Sequence, residues 1–167
     1  TLLLAFSSLI SRLLGILRNH ALANVFGAGA LSDAYFAAFQ IPDTLYRFFV
    51  FGAISASFVP LFLTILKSDR KKAFAFTSSV MNLFILGIGA ISLVLFLFAK
   101  PFTALLYPQF SSEMLETTAE LLRIMLLSPL FFTISSVLSG IQNAFRSFYG
   151  FALAPIVYNL GILFGIY

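Results

Sequence analysis

The residues in this chain able to do chemistry are few, and the most telling are charges set in apolar surroundings. Arg12 and Arg18 lie in a run, Leu2 to Phe26, whose other strongly polar residues are Asn19, His20 and Asn24. On a helix their six-residue spacing separates the guanidiniums by about 9 Å along the axis and about 120° around it. A charge at the bilayer centre costs about 2.5–3.5 kcal/mol on insertion scales, so it normally faces a cavity or a partner. Arg12 either snorkels to the interface or shares the space that Arg18 faces. Arg18 should sit deeper, and with Asn19 it heads a polar patch; ionisable residues at such depth mark function. The next apolar stretch holds Asp33, Asp43 and Arg47. Asp43 and Arg47, at i,i+4, are placed to pair locally. Asp33 is either a plain helix-start acid or part of a site.

Covalent catalysis finds little footing. His20 is the single histidine and cysteine is absent, so histidine-based zinc sites and thiol chemistry lack their residues. No phosphate-cradling glycine loop is present to hold ATP. Glu113, Glu116 and Glu120 fall at helical spacing, but acids at a helix start suit its dipole and read as a solvated face. We therefore expect a protein that is not an enzyme and takes no cofactor.

The elements that position these charges follow from hydropathy. The chain has 167 residues, 60% hydrophobic and 10% charged, with a mean hydropathy of +1.03. A water-facing domain usually carries about 25% charged residues, so lipid must cover much of this surface. The net charge of +4 is no nucleic-acid footprint, because most of it sits in one short connection. Ala73–Ala99, Ile124–Phe145 and Ser147–Tyr167 run 27, 22 and 21 residues without a charge, each enough to cross a hydrocarbon core that needs about 20 helical residues. Helices are the default, because open strands would leave backbone groups unpaired in lipid. The prediction is one all-α transmembrane domain over residues 1–167, a polytopic bundle of about five spans near 3–26, 33–66, 74–99, 114–142 and 147–167.

Ser32 is a plausible N-cap for the second span, and Pro42 and Pro60 should bend it. Gly161 and Gly165 form a GxxxG pattern that either admits a neighbouring helix or is simply small. The connection Lys67-Ser68-Asp69-Arg70-Lys71-Lys72 is basic, whereas the one from Lys100 to Arg123 carries the glutamates. With Arg146 marking the last turn, the positive-inside rule places the N-terminus and both basic turns in the cytoplasm. The start at Thr1 without Met and the end at Tyr167 inside an apolar run lead one to expect a longer protein, and no cleavable signal peptide is visible.

Four segments then form a recognisable series: Ser11-Arg12-Leu13-Leu14-Gly15-Ile16-Leu17-Arg18, Phe26-Gly27-Ala28-Gly29, Asp33-Ala34-Tyr35-Phe36-Ala37-Ala38-Phe39-Gln40-Ile41-Pro42, and Gly52-Ala53-Ile54-Ser55-Ala56-Ser57-Phe58-Val59-Pro60. In order and spacing they closely resemble the opening of MurJ-type (MviN) flippases, part of a superfamily shared with polysaccharide flippases and multidrug exporters. Beyond Pro60 the likeness rests on span lengths and on Gln142-Asn143. It implies an incomplete first lobe of a two-lobe transporter, whose other lobe would enclose a cationic cavity with this one. It further implies alternating access that carries lipid II, an undecaprenyl-diphosphate-linked peptidoglycan precursor, across the bacterial cytoplasmic membrane. Arg12, Arg18 and Asp33 match family positions important for function, and Arg47 and Asn19 complete the candidate substrate-binding set. A diphosphate suits arginine, whose planar fork holds two phosphate oxygens at once. The chain departs from the family where Asn19 stands in place of a frequent Asp, Tyr46 in place of a second arginine, and Phe51 in place of an acid. The alternatives are export of a lipid-linked oligosaccharide or a drug, or a non-transporting scaffold; a water-accessible Arg18 favours transport, and an interfacial one the scaffold.

Overall fold

The computed structural model of the chain describes residues 2–27, 29–52, 54–145 and 149–166. Every regular element among them is helical. In order they are α1 (Leu2–Phe26), α2 (Ala30–Tyr46), the π-helical turns π1 (Arg47–Phe51) and π2 (Ile54–Phe58), α3 (Val59–Ser68), α4 (Arg70–Leu97), α5 (Ala99–Leu106), α6 (Ser112–Met125), α7 (Ser128–Ala144) and α8 (Tyr149–Ile166). The turn expected at Arg146 lies outside the described residues.

Two helical stretches, Arg70–Leu97 and Ser112–Ala144, are long and apolar enough to cross a membrane, and only 11% and 28% of their most apolar windows is buried. A core helix of a soluble protein would hide such a surface. Here Leu83, Leu86, Ile124 and Phe131 point outward, as hydrocarbon solvent allows.

Proline sets the breaks, because it has no N–H to give the carbonyl four residues back. Pro101 leaves the Leu97 carbonyl without that donor, and α4 ends at Leu97, the chain turning at Phe98 into α5. Pro129 does the same to Met125, so the expected span at 114–142 is two helices, α6 and α7. The Ser128 hydroxyl donates to the freed Met125 carbonyl at 2.6 Å, the kind of local repair that backbone breaks within a bilayer require. The second expected span behaves differently from the simple picture of two proline bends. α2 continues through the buried Pro42, and regular α geometry gives way further on, in the two π turns Arg47–Phe51 and Ile54–Phe58 ahead of Pro60. Pro60 cannot bond Ala56, and a shift to i→i+5 pairing is one way to absorb the missing donor.

The turn between α1 and α2 corrects a second expectation. Gly27 ends α1 with φ of 70°, the left-handed conformation that glycine adopts without strain. The cap of α2 is Gly29, and the Asp33 N–H donates to its carbonyl at 3.1 Å. Ser32 therefore falls inside the first turn, where its hydroxyl donates back to the Gly27 carbonyl. Asp69 caps α4 by accepting from the Lys71 and Lys72 N–H groups at 2.8 and 3.1 Å.

Helix α7 is the hub, packing on α2, α3, α4, α8 and both π turns. One core cluster joins Leu45, Val50, Ile54, Phe58, Phe62, Ala73, Ile88 and Val137. The second brings Ala38 and Ile41 of α2 against Ala119, Leu122 and Leu126 with Ala99; small residues let these backbones approach closely, as membrane packing favours. Gly140 of α7 is buried with the Phe58 ring 3.1 Å from where a Cβ would stand, so π2 and α7 meet without room for a side chain. Gly161 and Gly165 have nothing within 4 Å of a Cβ, so among the described residues their pattern is not a packing site.

Candidate functional site

Helix α1 is held chiefly by α8. Ser7, Ser11 and Gly15 repeat every four residues on one face of α1. The Ser7 hydroxyl donates to the Ala152 carbonyl. Asn159, buried in α8, donates to the Ser11 carbonyl and hydroxyl, both at 3.3 Å, and to the Pro155 carbonyl at 2.8 Å. Gly15 comes within 3.9 Å of the Asn159 Oδ1, measured from an added Cβ. Ser11 and Gly15 are thus packing residues, and they fix the rotation of α1 that presents Arg18 three positions on.

Arg18 opens into a cavity of about 710 Å³ between four helices, lined also by Asp43, Tyr46 and Arg47 from the second span, Phe131, Phe132 and Ser135 from α7, and Pro155 and Tyr158 from α8. Arg47 and Asp43 form the expected pair, Nε to Oδ2 at 2.8 Å. Two guanidiniums against one carboxylate leave one net positive charge in the cavity. Arg18 donates from Nε and Nη2 to the Oδ1 of Asn19 at 3.2 and 3.0 Å. The amide oxygen orients the guanidinium without cancelling its charge. The Tyr46 hydroxyl shares a 2.5 Å hydrogen bond with Ser136, and its ring packs on Phe132 at 5.3 Å between centroids, tying the second span to α7 at the cavity wall.

The five candidate residues do not form one cluster. Arg18 and Arg47 share the large cavity, while Asn19 and Asp33 line a separate one of about 440 Å³ between the end of α1 and the start of α2. Arg12 is exposed and lines neither. The three glutamates of α6 are exposed, and Glu116 is engaged by Lys100 of α5. At the turn after α5, Tyr107 donates to the Ala37 carbonyl at 3.3 Å; burial pushes its phenol up, so it stays a donor at neutral pH. Ser135, Tyr158 and Asn159 escape a reading based on charge, and the sequence signal for them is polarity inside uncharged runs.

The fold and site define an all-α membrane bundle whose helices enclose a charged, polar cavity. The chain belongs to the lipid II flippase MurJ family: the model of that family matches residues 22–167, as the motifs implied. It is 34% identical to the probable lipid II flippase MurJ of Buchnera aphidicola subsp. Schizaphis graminum over 166 residues, covering 93% of this chain and 31% of that protein. The corresponding protein of Rickettsia prowazekii is 29% identical over 164 residues, with 97% and 32% covered. A solved structure of lipid II flippase MurJ in an inward closed conformation superposes with a TM-score of 0.84 at 31% identity, covering 99% of this chain and 35% of that one. The chain spans about a third of the length of the relatives it matches.

Proposed function

We propose that this chain forms part of a flippase that moves lipid II across the bacterial cytoplasmic membrane, without covalent chemistry and by alternating access. The observation that carries the reading is the convergence of Arg18 and Arg47, from separate spans, on one interhelical cavity with a net positive charge. Guanidiniums with free N–H groups suit a diphosphate better than any cationic cargo. Asn19 holds the Arg18 fork in place. Asp33 lines the adjoining smaller cavity with Asn19, toward the Gly27 turn, as a further contact for the substrate. Arg12, exposed on α1, meets either the lipid headgroups or the rest of the cavity supplied by a second lobe. The test is growth: the full-length protein should sustain cells depleted of their own flippase.

The reading includes an orientation with the N-terminus and the Lys67–Lys72 turn in the cytoplasm, supported by the four basic residues there. Ser68 and Ser112 are both exposed, at opposite ends of α4 with α5. In full-length protein with single cysteines, an impermeant thiol reagent added to intact cells should label position 112 and spare position 68. Labelling of position 68 from outside would reverse the orientation.

A further inference from the structure

A neutral cavity lies beside the charged one. A second space of about 300 Å³ shares Tyr46, Ser135, Ala154 and Pro155 with it and is otherwise lined by Ile54, Val59, Ser136, Ser139, Gly140 and Asn143. Ser135, Ser139 and Asn143 recur every four residues along one face of α7, a ladder about 12 Å long at the helical rise. Several other hydroxyls in this bundle are satisfied by their own helix: those of Thr77, Ser79, Thr117, Thr118 and Thr133 donate to the carbonyl four residues back. Among the described residues, the side chains of Ser135, Ser139 and Asn143 have no hydrogen-bond partner within the chain. A polar group left unpaired in lipid is costly, whereas one that faces a hydrated cavity is available to a ligand.

We propose that this annex binds the sugar portion of the lipid-linked substrate whose diphosphate lies on Arg18 and Arg47, an inference that rests on the flippase reading above. The chemistry points to a carbohydrate. The annex lining carries no charge, so it suits a neutral group. Hydroxyls that both donate and accept, with one amide that does the same, match the mixed hydrogen-bonding edge of a sugar ring or its N-acetyl substituent. The apolar faces of Ile54, Val59 and Pro155 complete the pattern of a few placed polar groups in a mostly apolar pocket. The contiguity at Ser135 and Tyr46 means that one molecule with a sugar directly on its diphosphate reaches both spaces.

The experiment compares two probes on purified full-length protein: a polyprenyl diphosphate without sugar, and the same lipid bearing an N-acetylated disaccharide. The double substitution Ser139→Ala, Asn143→Ala should weaken binding of the glycosylated lipid about tenfold, the effect of losing two or so neutral hydrogen bonds. Binding of the bare lipid should stay unchanged, which also reports that the variant is folded. Ser139→Val, which fills the annex, should give the same selective loss. Equal loss for both lipids, or no loss for either, overturns the assignment. Failure of the unaltered protein to bind either lipid overturns the flippase reading, and the annex with it.

Discussion

Replacing Arg18 with alanine is expected to abolish support of growth in a flippase-depleted strain while the full-length protein stays near its normal abundance in the membrane. Arg18 reaches the cavity from α1, its guanidinium is oriented by Asn19, and no carboxylate pairs with it among the described residues. Arg47, by contrast, is already engaged by Asp43, so Arg18 supplies the net charge. A hydrogen bond to a charged group contributes about 1.5–3 kcal/mol, and a forked arginine–phosphate contact makes two. Losing both weakens ground-state binding by two orders of magnitude or more on that scale. Stability should change little, because Arg18 is only half-buried and its hydrogen bonds go to the adjacent residue. Arg18→Lys should restore partial growth, since it keeps the charge and loses the fork. Growth and immunoblotted abundance are the two readouts. Full growth with alanine at this position would remove Arg18 from substrate binding.

Phe62→Ala should destabilise the bundle by about 3 kcal/mol, the low end of the range for a buried phenylalanine truncation. The low end applies because lipid tails are as apolar as the core, so the loss is one of packing rather than transfer. Phe62 is fully buried in the cluster that joins α3, α4 and α7. Its ring stacks on Phe58 at 5.7 Å and meets Phe74 and Phe145 edge-on at 6.0 and 6.3 Å. Thermal unfolding in detergent would measure the effect. A midpoint indistinguishable from that of the unaltered protein would mean that this cluster does not hold the bundle together.

The uncharged runs made the main helices legible: Ala73–Ala99 anticipates most of α4, and Ile124–Phe145 anticipates α7. Their breaks were harder to read, since Pro42 and Pro129 look alike in sequence. One sits inside a continuous helix and the other starts a new one, because packing and the Ser128 hydroxyl decide what happens to the freed carbonyl. The candidate site was half legible. Charges at membrane depth announced Arg18 and Arg47 and their local partners. Asn159, which seats α1, and the hydroxyl ladder of α7 were not visible, because the value of a serine or an asparagine lies in which helix it meets. Asn19 was expected beside Arg18, and it accepts that guanidinium's hydrogen bonds. The antiparallel run of α1 and α2 also puts Asn19 on a smaller cavity with Asp33, toward the Gly27 turn.

A flippase cavity of this kind must select a diphosphate lipid over a cation. Purified full-length protein, offered lipid II in competition with a lipophilic cationic dye, tests that directly. The prediction is tight binding of lipid II that weakens as salt screens the phosphate contacts, is lost in Arg18→Ala, and is not displaced by the dye. Tight binding of the dye that lipid II does not displace would contradict the flippase reading and mark the cavity as a drug-export site.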